Sequence, residues 1–91
     1  VGSHTHVQTA DEGVFRGGTA YITDTGMCGP FESVIGMRTE QVLKRFVDQL
    51  PVHYDVGEGP PLLQAVSIDV DETTGKARSI RRIREVLDRA A

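Results

Sequence analysis

The hydrophobic and polar positions along the chain change their period several times, and each change marks a predicted element. Residues 1–7 are rich in β-branched side chains and histidine, which predicts a strand that ends in the polar, glycine-containing segment 8–18. Thr, Tyr and Ile in residues 19–25 fit a pleated surface and predict a second strand. Glycine and proline then interrupt the pattern, so residues 27–36 are expected to form a tight, irregular connection.

A helical period follows this connection. The apolar residues that recur at helical spacing are Val42, Leu43, Phe46, Val47 and Leu50. Thr39 is suited to the N-cap and Pro51 cannot continue a helix, so the helix is predicted over residues 39–50. We expect its apolar stripe to pack on a sheet.

Strand periods return in the second half of the chain. Apolar and polar residues alternate over residues 52–56 and again over residues 66–70, and each pattern predicts a strand with one buried face. The polar residues 71–76 suit a hairpin loop, in which Gly75 supplies a positive φ. Residues 77–83 are then expected to return antiparallel to the preceding strand.

The last residues fit two different periods. A helix is also compatible with Ile80, Ile83, Val86 and Leu87, so the returning strand is expected to give way to a short terminal helix near Arg84. Strand and helix periods together predict a mixed α/β (α+β) class. Without repeats or linker-like composition, residues 1–91 are expected to be a continuous piece of one domain.

Composition narrows the class of protein further. The 91 residues are 38% apolar and 25% charged, and no apolar run approaches the ~20 residues of a membrane span, so no membrane association is expected. The net charge of −3 disfavours a nucleic-acid partner on electrostatic grounds. The single cysteine, Cys28, predicts a cytoplasmic protein without internal disulfides. Because the chain starts at Val1 with no leader, we expect it to be truncated at its start.

The most suggestive chemistry lies in His4 and His6. In an extended segment, residues i and i+2 point to the same face, so the two imidazoles would lie roughly 6 to 7 Å apart and each could bind one of two metal ions. Gly2 would allow the close approach of a metal or phosphate. Ordinary surface histidines are the alternative, and two nitrogen ligands do not complete a catalytic site, so other ligands must come from elsewhere.

Asp24 is a candidate partner of these histidines. Its carboxylate would accept a proton from a ligating imidazole and fix the tautomer of that ring. The alternative is that Asp24 caps a turn.

Other candidate residues have simpler explanations. His53 is expected to be solvated, and Cys28 to be an unreactive small side chain. Phe15 and Phe31 would plug the core or an interface, or else form the floor of a substrate pocket. A basic run without interleaved aromatic residues comprises Lys76, Arg78, Arg81, Arg82 and Arg84. A solvated edge strand explains this run more simply than RNA binding does.

Several motifs together resemble one family. They are GSHTHVQTADE (2–12), GTAYITD (18–24), GM (26–27), GP (29–30), SVIGM (33–37), KRF (44–46), LP (50–51) and the hairpin 69–77. This set resembles the YmdB-like family of bacterial calcineurin-type metallophosphoesterases and spans nearly the whole chain. Ser3 departs from the family's usual threonine, while Arg16 and Cys28 stand at variable loop positions.

The resemblance implies a four-layer αββα sandwich, of which residues 1–91 would be the C-terminal part of a single metallophosphoesterase domain. It implies two divalent transition-metal ions, iron or manganese, with His4 and His6 as the last metal-binding motif. The other ligands and a general acid would lie upstream, so this chain would be inactive alone. The implied reaction is the hydrolysis of cyclic nucleotides or related small-molecule phosphodiesters by a metal-bridging hydroxide.

A function of another class stays open. The incomplete ligand set and the exposed edge expected at residues 77–83 are also typical of a non-catalytic interaction or oligomerisation module. Exposed apolar surface is expected in either case, and with it association into a homo-oligomer.

Overall fold

The computed structural model describes residues 1–87, which form short strands, one helix and a long hairpin. In chain order the elements are β1 (Gly13–Val14), β2 (Ala20–Tyr21), β3 (Gly29–Pro30), α1 (Thr39–Asp48), β4 (Pro61–Val70) and β5 (Ala77–Val86). The strands form a two-stranded sheet, β1-β2, and a three-stranded sheet in the order β3-β4-β5. All pairings are antiparallel, and the predicted mixed class is confirmed.

The β4–β5 hairpin is the largest element and confirms the predicted hairpin. Its loop is closed by two main-chain hydrogen bonds: the Asp71 amide donates to the Lys76 carbonyl at 2.9 Å, and the Gly75 amide donates to the Asp71 carbonyl at 2.7 Å. Gly75 has a φ of 74°, a left-handed conformation that glycine adopts without steric cost. The positive φ expected at this position is therefore present.

Both strands of the hairpin are longer than the sequence pattern predicts. β4 begins at Pro61 rather than at Val66, and β5 continues to Val86. The terminal helix predicted near Arg84 is wrong as far as the structure describes the chain, because Arg84 pairs with Gln64 of β4. The rest of that predicted helix falls on residues 88–91, which lie outside the described residues.

The core is small and half polar. Its buried apolar side chains are Ile22 and Leu62, and its buried polar side chains are Asp24 and Gln64. Of the predicted strand 19–25 only Ala20–Tyr21 pairs as a strand, yet Ile22 and Asp24 keep the inward-facing alternation of that strand. The β1–β2 hairpin joins the main sheet through the Ala77 amide, which donates to the Gly18 carbonyl at 2.8 Å.

Helix α1 begins where predicted and ends earlier. Thr39 is its first residue rather than its N-cap, because Arg38 occupies the cap position with a φ of −58° and a ψ of 127° and makes no side-chain capping bond. At the other end Gln49 adopts a left-handed conformation, with a φ of 57°, and its amide donates to the Arg45 carbonyl. This turn ends the helix before Pro51 is reached.

The apolar stripe of α1 is exposed, so the prediction that it packs on a sheet is wrong within residues 1–87. Phe46 is 75% exposed and Val47 is 81% exposed. Polar contacts join the helix to the rest of the chain: the Gln41 side chain donates to the Asp55 carboxylate at 2.9 Å and accepts from the Asp55 amide at 2.7 Å.

The predicted strand 52–56 is also wrong, because only a single bridge between Met37 and Val56 forms there. No helix among the described residues has the length and apolar character needed to cross a membrane.

Candidate metal centre

His4 and His6 lie on a loop that bends away from its neighbours, so the strand predicted over residues 1–7 is wrong. Two main-chain bonds anchor the loop at its ends: the Thr25 amide donates to the Gly2 carbonyl, and the Thr9 amide donates to the Asp24 carbonyl, both at 3.0 Å. Both bonds are made to adjacent residues, Asp24 and Thr25. Since the two ends of the loop are therefore close together, the residues between Gly2 and Thr9 must loop outward.

The bend changes the relation between the two histidines. His6 has a φ of 69°, so the same-face rule for an extended segment does not apply to the pair. Both side chains are exposed on the loop. Gly2 is needed for a different reason from the one predicted, because an added Cβ would collide with the Thr23 carbonyl oxygen.

Asp24 is the residue that shapes this loop. One carboxylate oxygen accepts from the His4 amide at 3.0 Å and from both the amide and the hydroxyl of Thr5 at 2.6 Å. The other oxygen accepts from the Gly26 amide at 2.8 Å, which is the turn-capping contact. The side chain is only 1% exposed. Within residues 1–87 its hydrogen bonds thus go to the main chain and to Thr5, not to an imidazole.

These donors also keep Asp24 ionised. The Thr5 hydroxyl contributes most and the Gly26 amide next, and together with the amides of the loop they hold the pKa of Asp24 well below its usual range despite burial. Asp11 is similar: hydroxyl groups of Thr23 and Thr9 lower its pKa to about 2. Both carboxylates therefore stay charged at neutral pH, and Asp24 is the one that bonds the main chain of His4 and Thr5.

The His6 ring is oriented by a main-chain carbonyl. Its Nδ1 lies 3.0 Å from the Ile35 carbonyl oxygen. A carbonyl can only accept, so Nδ1 is the nitrogen that carries a proton, and in the neutral ring Nε2 keeps the lone pair that a metal needs. Metal-binding histidines commonly donate their second ring N–H in this way. The chemistry of His6 therefore fits a metal ligand.

The described part of the chain does not form a complete metal site. It contains no cluster of three or more His, Cys, Asp or Glu side chains that could hold an ion. A metal held at His4 and His6 would need further ligands from outside the described residues. His53 is elsewhere and its side chain is 88% exposed, which confirms the prediction that it is solvated.

A pocket of about 160 Å³ lies beside His6. Phe31 borders it, while Phe15 stacks on Tyr21 with ring centroids 5.1 Å apart. Arg84 also lines the pocket, and its guanidinium carbon lies 5.3 Å from the centroid of the Phe31 ring.

Two glutamines that the sequence analysis missed hold the pocket together. Gln64 is buried, accepts from the Gln8 amide at 3.2 Å and donates to the Met27 carbonyl at 2.9 Å. The Gln8 side chain donates to the Ala65 carbonyl at 2.9 Å. The only signal in the sequence was the position of Gln64 among apolar neighbours, in a stretch predicted to precede the strand. Cys28 is exposed, with its Sγ 3.6 Å from the Gln64 carbonyl oxygen.

The chain is similar to known proteins in its sequence. A family model described as "YmdB-like protein" matches residues 1–83. A protein of Bacillus subtilis named 2',3'-cyclic-nucleotide 2'-phosphodiesterase is 53% identical over 83 residues, a match that covers 91% of this chain and 31% of that protein.

Two solved structures resemble the fold closely. A crystal structure described as a novel phosphatase from Mycoplasma pneumoniae matches with a TM-score of 0.86 at 43% identity, over 91% of this chain and 30% of that one. A hypothetical protein from Thermus thermophilus matches with a TM-score of 0.82 at 34% identity, over 91% of this chain and 32% of that one. The chain thus spans about a third of the length of the proteins it matches.

Proposed function

Since the chain belongs to the YmdB-like family, we propose that it is part of a metal-dependent phosphodiesterase and that His4 and His6 each bind one of two divalent transition-metal ions. The observation that carries the proposal is the hydrogen bond from His6 Nδ1 to the Ile35 carbonyl, which leaves Nε2 available as a ligand. The family match over this same loop supports it. Iron and manganese are the ions we expect.

The chain's own residues have defined parts in this proposal. Asp24 fixes the main chain of His4 and Thr5, so that the loop presents its imidazoles without having to rearrange when a metal binds. Ile35 fixes the rotation of the His6 ring. A pair of bound ions would polarise a phosphoryl group and lower the pKa of a coordinated water.

The remaining ligands and the general acid would come from polypeptide outside this chain. The proteins it matches are about three times as long, which leaves room for them. We therefore propose that residues 1–91 are the C-terminal part of one metallophosphoesterase domain with the four-layer αββα sandwich, and that they are inactive alone. The name of the Bacillus subtilis relative favours cyclic nucleotides or related phosphodiesters as substrates. The cytoplasmic location stays a prediction.

The test compares metal content and hydrolysis of a chromogenic phosphodiester in the full-length protein and its His4→Ala/His6→Ala variant. We expect the double variant to lose both metal and activity while its circular dichroism spectrum is unchanged. Retention of metal and activity at the wild-type level would show that these histidines are not ligands.

Asp24→Asn sharpens this test, because it keeps the size of the side chain and removes its charge. Loss of a group that orients metal ligands typically lowers metal affinity roughly 10- to 100-fold, and we expect an effect of that size. Asp11→Asn is the matched control, since Asp11 accepts from Thr9 and Thr23 rather than from the His4–Thr5 main chain. Equal metal affinities in the two variants would remove Asp24 from the proposal.

A second candidate function is a non-catalytic oligomerisation module that binds another copy of the chain. The exposed apolar stripe of α1, in which Phe46 and Val47 are largely exposed, favours it. Light scattering of the full-length protein tests it: we expect a homo-oligomer that Phe46→Asp dissociates. If the protein is a monomer, or if the oligomer survives this substitution, the apolar stripe of α1 has no role in oligomerisation.

A further inference from the structure

The pocket beside His6 carries an exposed aromatic ring and a basic side chain in contact. Phe31 is 55% exposed, and the guanidinium carbon of Arg84 lies 5.3 Å from its ring centroid. This spacing is that of a cation–π pair. The two side chains therefore form one continuous surface, which we call the Phe31–Arg84 wall.

The strand register explains why Arg84 faces this pocket. Arg84 stands directly opposite Gln64 in the β4–β5 ladder, and directly opposed residues of antiparallel strands point to the same face. Gln64 is buried on the pocket side. Arg81 stands opposite Ser67. Because Arg81 is an odd number of residues from Arg84, its side chain lies on the other face of the sheet.

Charge pairing separates Arg84 from the basic residues Arg78 and Arg82, while Arg81, which also forms no ion pair within residues 1–87, lies on the other face of the sheet. Arg82 forms an ion pair with Glu12 at 2.9 Å, and Arg78 forms one with Asp69 at 3.3 Å. No ion pair of Arg84 occurs within residues 1–87. Its positive charge stands at the pocket in a chain with a net charge of −3, so it marks a local preference for an anion.

The size of the pocket limits what it can hold. Its volume of about 160 Å³ lies below the roughly 300 to 1,000 Å³ that enclose a drug-sized ligand. The pocket therefore suits one part of a larger molecule. An arginine binds phosphate oxygens, and an aromatic ring stacks on nucleobases of any sequence.

We propose, on the basis of the proposed function, that the Phe31–Arg84 wall determines substrate specificity, with Arg84 binding an anionic oxygen of the phosphodiester and Phe31 stacking on the base. The wall lies beside His6, which places recognition next to the proposed metal ligand. Arg84 therefore contributes to the binding of every phosphodiester substrate, whereas Phe31 contributes only to the binding of substrates that carry a base.

Two substrates separate these roles in the full-length protein: adenosine 2′,3′-cyclic phosphate and ribose 2′,3′-cyclic phosphate, which lacks the base. Arg84→Gln is expected to raise KM for both by roughly tenfold or more with little change in kcat, because a hydrogen bond to a charged group is lost. Phe31→Leu is expected to raise KM about fivefold or more for the nucleotide alone. Arg81→Gln, with the same charge change on the opposite face, should leave both KM values unchanged.

The result that overturns the proposal is a KM for Arg84→Gln that matches Arg81→Gln, or a Phe31→Leu effect that is equal for both substrates. Calorimetric binding of adenosine 2′,3′-cyclic phosphate gives a readout that does not need turnover. The wild-type protein could bind this nucleotide without hydrolysing it, with only Arg84→Gln and Phe31→Leu weakening the binding. That result would support nucleotide binding by the Phe31–Arg84 wall and contradict the proposed function. If wild type and both variants bind equally, the wall is excluded.

Discussion

Two regions of the molecule carry apolar side chains: the sheet beside the histidine loop and helix α1. Only the first region buries them. Ile22 is fully buried in the first region, whereas Phe46 of α1 is 75% exposed. The difference arises from partners that are distant in the chain: β5 contacts both β1 and β2 in the first region, while α1 is joined to its surroundings by polar contacts to Asp55. An apolar stripe therefore predicts which side of an element can be buried, but not what covers it.

Ile22→Ala has the largest expected effect on this comparison. The side chain is fully buried, so its truncation removes apolar contacts and leaves a cavity, at a cost of about 2 to 5 kcal/mol in the free energy of unfolding. Urea denaturation measures this loss. Val7→Ala, at a side chain that is 62% exposed, is the control and should cost far less. Similar losses in both variants would mean that Ile22 is not a core residue.

Gln64→Leu tests the polar half of the buried region. The substitution leaves the Gln8 amide and the Met27 carbonyl without their partner, which costs about 1 to 3 kcal/mol in unfolding free energy. Gln41→Leu breaks two similar bonds on the exposed side of α1 and is expected to change stability by about 0.5 kcal/mol or less. Equal losses of unfolding free energy in the two variants would mean that the Gln64 hydrogen bonds contribute no more to stability than those of Gln41.

The carboxylates of the histidine loop predict a loss of stability in acid. The pKa of Asp24 lies well below its ordinary value of 3.8, and that of Asp11 is lowered to about 2. Because the unfolded chain then binds more protons than the folded one, their stabilisation is complete above roughly pH 5 and declines as the pH falls below 4. Urea unfolding at pH 7 and pH 3 measures it.

The variant Asp24→Asn checks the origin of this acid dependence. Without its carboxylate the difference in stability between the two pH values should shrink, whereas Glu32→Gln, at an exposed residue, should leave it unchanged. An undiminished difference in Asp24→Asn would assign the acid dependence to other groups.

Phe46→Ala is expected to have little effect on the stability of this chain. Its side chain is mostly exposed, so the free energy of unfolding should change by no more than about 0.5 kcal/mol. The same substitution in the full-length protein tests whether other polypeptide covers α1, in which case a loss of about 3 to 5 kcal/mol is expected. A cost of that size in the 91-residue chain itself would mean that the stripe is already buried.

Local signals predicted the elements that depend on local chemistry. The hairpin at residues 71–76 followed from its turn residues and Gly75, and α1 followed from its apolar period. The boundaries were less predictable because they depend on pairing: β4 starts at Pro61 because Pro61 pairs with Pro30 of β3, and Val86 of β5 pairs beside it, at Leu62. The predicted strand 52–56 failed for the same reason, since no neighbouring strand pairs along it within residues 1–87.

The sequence by itself determined the hairpin, the helix, the mixed class and the resemblance that identified His4 and His6 as candidate ligands. Only the tertiary structure decided that these histidines lie on a bent loop, that Asp24 holds its main chain, and that Gln64 and Arg84 join Phe31 and His6 at one pocket. The physical reason is separation along the chain. Turn and helix preferences act over a few residues, whereas the contacts that build the pocket join side chains brought together by the pairing of β3, β4 and β5 and by the Gln8–Gln64 hydrogen bond.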